Sequence, residues 1–99
     1  MEVREYDENG RLVLVITGKI AATNSEELLR VILNALEKSA DVVLDFGELD
    51  YMSSSGLRSL LFGQRTALAQ QKSMVIRNVG EGVMVVLKSV GFDKILRFE

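Results

Sequence analysis

The apolar residues of this chain come in two kinds of burst, short continuous runs and longer stretches at helical spacing. Leu12-Val13-Leu14-Val15-Ile16 is continuous, with β-branched residues alternating with leucine, and predicts a central strand covered on both faces. Val3 to Tyr6 predicts a partner strand, because the intervening Asn9-Gly10 favours the positive φ values of a hairpin turn. Leu28, Ile32 and Leu36, with Leu29 and Leu33 beside them, then recur at helical spacing. They follow candidate caps at Thr23, Asn24 and Ser25, with Glu26 and Glu27 spaced for a capping box. Val42-Val43-Leu44, closed by Asp45 and Phe46, predicts a buried strand that ends at a loop. From Gly56 to about Gln71 a second helix is predicted, with Leu57, Leu61 and Leu68 as its inner stripe and Leu60 and Ala67 nearby. Ser73 to Arg77 predicts a further strand, and Val83, Leu87 and Val90 the inner positions of a third helix stopped by Gly91. Ile95 to Phe98 suits either an edge strand or a helical turn.

Strands alternating with helices imply right-handed crossovers, so the expected fold is a small single-domain α/β structure spanning residues 1–99. Its sheet is mixed and mostly parallel, with the N-terminal hairpin as the antiparallel part and the helices packed on it. No linker, repeat or low-complexity tract interrupts it, and there is no proline.

Composition removes several kinds of chemistry. Twelve Lys and Arg against fourteen Asp and Glu leave a net charge of −2, with no basic surplus for nucleic acid. The chain has neither Cys nor His, which excludes disulfides, thiolate nucleophiles, the usual metal sites and catalytic triads with a histidine base. The start Met1-Glu2-Val3-Arg4-Glu5 lacks a signal peptide's apolar core, and no apolar run approaches the length of a membrane span, so a cytoplasmic protein is expected. Neither a P-loop nor a dinucleotide fingerprint is present, and no cofactor is expected. Asp45, Glu48 and Asp50 lie close in sequence but are not expected to form a Mg²⁺ site. Met74 and Met84 are read as core filling.

The informative segment is Asp45-Phe46-Gly47-Glu48-Leu49-Asp50-Tyr51-Met52-Ser53-Ser54-Ser55-Gly56-Leu57, which sets three consecutive hydroxyls between a strand end and a helix start. A helix N-terminus has unpaired N–H groups and the positive end of the macrodipole, so a serine there can be a cap or can carry a phosphate. Capping is the plain reading of Ser53, Ser54 and Ser55. Asp45 is read either as a strand-end residue accepting backbone N–H bonds or as a residue that positions the serine loop. Gly56 suits close backbone packing.

On Asp45-Phe46, Leu49, Met52, Ser54-Ser55-Gly56-Leu57 and Gly18-Lys19-Ile20, nearly the whole chain resembles the STAS domains, specifically the bacterial anti-sigma factor antagonists. The resemblance implies phosphorylation of the first serine of the Ser-Ser-Gly element, here Ser54, by an anti-sigma factor that is itself a serine kinase. It implies that the unphosphorylated chain docks on the anti-sigma factor and frees sigma, that the phosphorylated form docks poorly, and that a PP2C-type phosphatase reverses the change. Family members usually carry Asp before the acceptor, where this chain has Ser53, so Ser53 and Ser55 stand as alternative acceptors. The expected docking surface is Ser53, Ser54, Ser55 and Gly56 together with Arg58, Ser59, Phe62 and Arg65, read as the outer side of the second helix. Phe62, an aromatic flanked by arginines, is of the type enriched in binding hot spots. The alternative is a STAS module that binds a nucleotide or lipid, or serves a sensor or transport assembly. A small hydrolase using Ser54 lacks an evident base.

Overall fold

In the computed structural model, which describes residues 1–99, Asn9 and Gly10 take φ values of 53° and 88° and turn the chain as expected. They join β1 (Glu2–Glu8) antiparallel to β2 (Arg11–Ile20), with Glu8 opposite Arg11 and Glu2 opposite Thr17. The next strand, β3 (Asp41–Asp45), lies parallel to the first half of β2. After it come β4 (Leu49–Met52), β5 (Ser73–Arg77), parallel to β3, and the two-residue β6 (Arg97–Phe98), parallel to β5. The main path across the sheet is therefore β1-β2-β3-β5-β6.

The segment Leu49–Met52 reads as loop in the sequence, yet it is the strand that places the serines. Beyond Val15 the far end of β2 leaves β3 and pairs parallel with β4, Gly18 opposite Leu49 and, past an irregularity between Gly18 and Lys19, Lys19 opposite Tyr51 and Ile20 opposite Met52. Gly18 N–H donates to Glu48 O at 3.0 Å where this second pairing begins.

Helices α1 (Ser25–Lys38), α2 (Ser54–Ala69) and α3 (Glu81–Ser89) all pack against one face of the sheet. The shared core includes Leu14, Ile16 and Ile20 of β2, Leu28, Ile32 and Leu36 of α1, Leu57 and Leu60 of α2, Met74 and Ile76 of β5, and Leu87 of α3. Full burial of each such side chain is worth about 1.5–3 kcal/mol before the entropy of ordering it is subtracted. Two short 3₁₀ turns, at Ala22–Asn24 and Phe92–Lys94, connect elements. Asn24 organises the first, its Oδ1 accepting from Ala21 N–H at 2.8 Å and its Nδ2 donating to Lys19 O at 3.0 Å.

The opposite face buries a separate strip of Val13, Val15 and Val43, with Val75 against it. No helix covers this strip. Arg77 reaches from β5 to Glu8 and Tyr6 on β1, crossing β3 and β2, and Arg11 joins Glu8 and Glu99, so long charged side chains roof the valines. β2 is thus covered on both faces, by helices on one and by this lattice on the other.

Two inner positions differ from the sequence reading. Leu68 is 55% exposed, because the buried stripe of α2 runs through Leu57, Leu60, Gln64 and Ala67. Val90 is also exposed, since α3 ends at Ser89 and Val90 caps it from outside. The C-terminal segment forms both of its expected alternatives in turn, a helical turn and then an edge strand.

Candidate functional site

The three serines are put to three different uses. Ser53 has extended backbone (φ −81°, ψ 168°) and caps α2, its Oγ accepting from Gly56 N–H at 3.1 Å and its carbonyl from Leu57 N–H at 3.0 Å. Its own N–H donates to Ile20 O at 2.8 Å, which carries the β4–β2 pairing up to the first residue of the helix start. Ser55 Oγ accepts from Arg58 Nη2 at 3.1 Å. Ser54, the first helical residue, is exposed and its hydroxyl makes no hydrogen bond within the chain.

Gly56 and Ser59, expected on the docking surface, are buried instead. A Cβ on Gly56 would run into Met52 Sδ and come within 2.7 Å of Ile20 Cγ2, so this position lets the helix start seat directly on the end of the β2–β4 pair. Ser59 is 7% exposed and donates from Oγ to Ser25 O at 2.8 Å, tying α2 to the first turn of α1. Arg58, Phe62 and Arg65 do lie on the open side, with Phe62 56% exposed.

Phe62 sits between recesses. One, of about 380 Å³, opens between the first turns of α1 and α2 and is lined by Ser25, Glu26 and Leu29 on one side and Ser55, Arg58 and Phe62 on the other. Two smaller ones, about 240 Å³ each, continue past Phe62 toward Glu37 and Arg65. The arrangement is a shallow groove with one aromatic side chain standing in it; Ser55, not Ser54, lines its first recess, and Ser54 is the residue before it on α2.

Asp45 takes the strand-end role. It accepts from Gly47 N–H at 2.9 Å and from Asn78 Nδ2 at 3.2 Å, and Arg77 Nε lies 3.5 Å away. None of these bonds reaches the serine loop, whose position follows from β4. No group of three or more acidic side chains is arranged to hold a metal ion. The strongly perturbed ionisable groups belong to the roof over the valines. Bonds from Arg77 and then Arg11 hold the Glu8 carboxyl down at about 2, Arg11 lowers Glu99 in the same way, and both arginines are raised in return.

A family model described as "Mlab, STAS domain" matches residues 4–97. The chain belongs to the STAS domain family. Among its STAS relatives is BtrV of Bordetella bronchiseptica, described by its name as an anti-sigma factor antagonist; it is 32% identical over 85 residues, covering 85% of this chain and 73% of BtrV. The fold is that of a protein from Thermotoga maritima likewise described as an anti-sigma factor antagonist, with a TM-score of 0.88 at 13% identity, covering 97% of this chain and 84% of the other. It is also that of the Bacillus anti-sigma factor antagonist SpoIIAA, solved unphosphorylated and phosphorylated. The TM-scores are 0.75 and 0.73 at 17% identity, covering 99% of this chain in both comparisons and 87% and 91% of SpoIIAA. The small α/β architecture with a mixed sheet and three helices is the STAS arrangement.

Within this STAS domain, sequence reasoning missed the buried role of Ser59. A small hydroxyl side chain three residues before Phe62 carries no sign of the carbonyl it meets, which lies on another helix.

Proposed function

We propose that this STAS domain is an anti-sigma factor antagonist whose docking is switched off by a phosphate on Ser54. In the unphosphorylated state the groove edge formed by Ser54, Arg58, Phe62 and Arg65 meets an anti-sigma factor and displaces sigma. That anti-sigma factor is a serine kinase. Ser54 Oγ attacks the γ-phosphorus of its ATP, the bond to the ADP oxygen breaks, and the hydroxyl proton passes to a base on the kinase. A PP2C-type phosphatase hydrolyses the ester and restores docking. The chain itself supplies the acceptor and the surface, and no catalysis.

The observation that carries this reading is the division of labour among the serines. Ser53 is committed to the cap and Ser55 to Arg58, while Ser54 is exposed, uncommitted and at the positive end of α2. A phosphate there adds about −1.5 to −2 charge without disturbing a buried group, so the effect falls on the interface and the fold stays intact. Ser53 stands where antagonists usually carry Asp, and it supplies the cap without the charge.

The test combines the purified chain with a candidate anti-sigma kinase and ATP, maps phosphate by mass spectrometry, and measures complex formation. Label on Ser54, loss of the complex with Ser54→Glu and its retention with Ser54→Ala are expected. A Ser54→Glu protein that binds as tightly as wild type overturns the switch. A second reading, a STAS subunit of a larger assembly that is never phosphorylated, is favoured by Ser53 in place of Asp and is distinguished by a complex that forms without any transfer to the three serines.

A further inference from the structure

We propose that Arg58 is the intramolecular receptor for a phosphate on Ser54, and that capture of this one guanidinium is how the modification takes away the positive charge next to the acceptor, leaving Arg65 farther along the docking surface; this rests on the phosphorylation reading above. Ser54 and Arg58 are four residues apart on α2, a spacing that puts them on one face of the helix with their Cβ atoms about 5–6 Å apart. Helical side chains lean toward the N-terminus, and Arg58 does so, with Nη2 at 3.1 Å from Ser55 Oγ. The guanidinium therefore already lies over the turn that carries Ser54.

Arg58 is also poorly matched where it is. The ion pairs of the chain engage Arg4, Arg11, Arg77 and Lys38, but not Arg58, whose only hydrogen bond goes to a neutral hydroxyl. Glu26 lines the same recess from α1 without pairing with it. A phosphate offers several charged acceptor oxygens to a planar fork of donors, and such charge-assisted bonds are about twice as strong as neutral ones. Ser55 Oγ is the group it would replace.

The consequence is a change in what the groove presents. Before modification, Arg58 beside Phe62 suits a partner that brings a carboxylate next to an apolar side chain. Afterward the local charge at Ser54 and Arg58 moves from +1 to about −0.5 to −1, with Glu26 adding to it. The partner's carboxylate then loses its cation and faces an anion.

The test places phosphoserine at position 54 by genetic encoding, so that no kinase is needed, and follows the phosphate by ³¹P NMR titration. The expected result is a second phosphate pKa higher by about 0.5 in Arg58→Ala than in the protein with Arg58. Arg58→Lys, which keeps the charge and loses the fork, falls between them, and the difference shrinks in 1 M salt. Superimposable titrations of the phosphorylated wild type and Arg58→Ala overturn the proposal. The unmodified variants melt like wild type, because Arg58 is exposed. If a kinase assay places no label on Ser54 while the titration difference stands, the phosphorylation reading fails and the receptor assignment survives.

Discussion

Ser53 closes the first turn of α2 with its side chain, which makes its replacement a test of structure kept apart from regulation. Ser53→Ala removes the acceptor for Gly56 N–H and is expected to cost about 1 kcal/mol. In a domain of this size that is a fall of about 4–8 °C in thermal midpoint. Ser53→Asp keeps a good capping acceptor and is expected to melt within about 2 °C of wild type. Equal losses from both variants would show that the cap oxygen is not what holds the helix start. The candidate site was legible at this scale wherever the chemistry is local. Three hydroxyls before a glycine and an apolar run mark a helix start, and the helical spacing puts Phe62 and the arginines on the outside. It was illegible for Ser59 and Gln64, two polar side chains in the buried stripe. Ser59 is satisfied by a carbonyl on α1, whereas Gln64 Oε1 has no partner at all.

Among the elements, the two strands that flank the Asn-Gly turn follow from that turn and a continuous apolar run, and the first two helices from apolar residues at helical spacing. β4 does not, because its burial runs inside, outside, outside, inside across Leu49, Asp50, Tyr51 and Met52, with no alternation to betray a strand. It exists because the far end of β2 offers it a partner, and tertiary pairing overrides weak local preference. The fit of α2 against α1 is likewise a matter between elements. A Cβ on Gly63 would lie 2.7 Å from Ile32 Cγ2. Alanine in a helix interior is favoured over glycine by about 1 kcal/mol, but overpacking a closed core costs about 1–3 kcal/mol. Gly63→Ala is therefore expected to destabilise the domain by about 1 kcal/mol net in urea titration. Ile32→Leu takes away the branch that collides, so the double variant is expected to be less unstable than the two single losses added together. Strict additivity would mean that the contact between these helices is not the constraint.

Taken across the whole molecule, the sheet is held between two unlike covers, and only one of them was visible beforehand. The valine strip can be read from alternation along the strands, whereas its roof joins Glu8 and Arg77 across 69 positions of chain, a distance that no spacing rule spans. Glu8 receives Arg77 at 2.8 and 3.0 Å and Arg11 at 2.9 Å, which holds its carboxyl at about 2 against an ordinary 4.5. A carboxyl lowered in the folded state contributes stability that is present above its unfolded value and is lost as pH falls toward the folded one. Glu99, lowered by Arg11, acts in the same direction. The thermal midpoint is thus expected to be level from pH 7 to about 5 and to fall steeply between about 4.5 and 2. Glu8→Gln keeps the shape and loses the charge, so its midpoint should be lower at pH 7 and its descent in acid shallower than that of wild type. High salt should narrow the gap, since the Glu8 side chain is 30% exposed and solvent screens it in part. A Glu8→Gln protein that matches wild type at pH 7 and declines as steeply in acid would show that the valines are sealed by the hydrocarbon stems of the arginines alone, with the charges as bystanders.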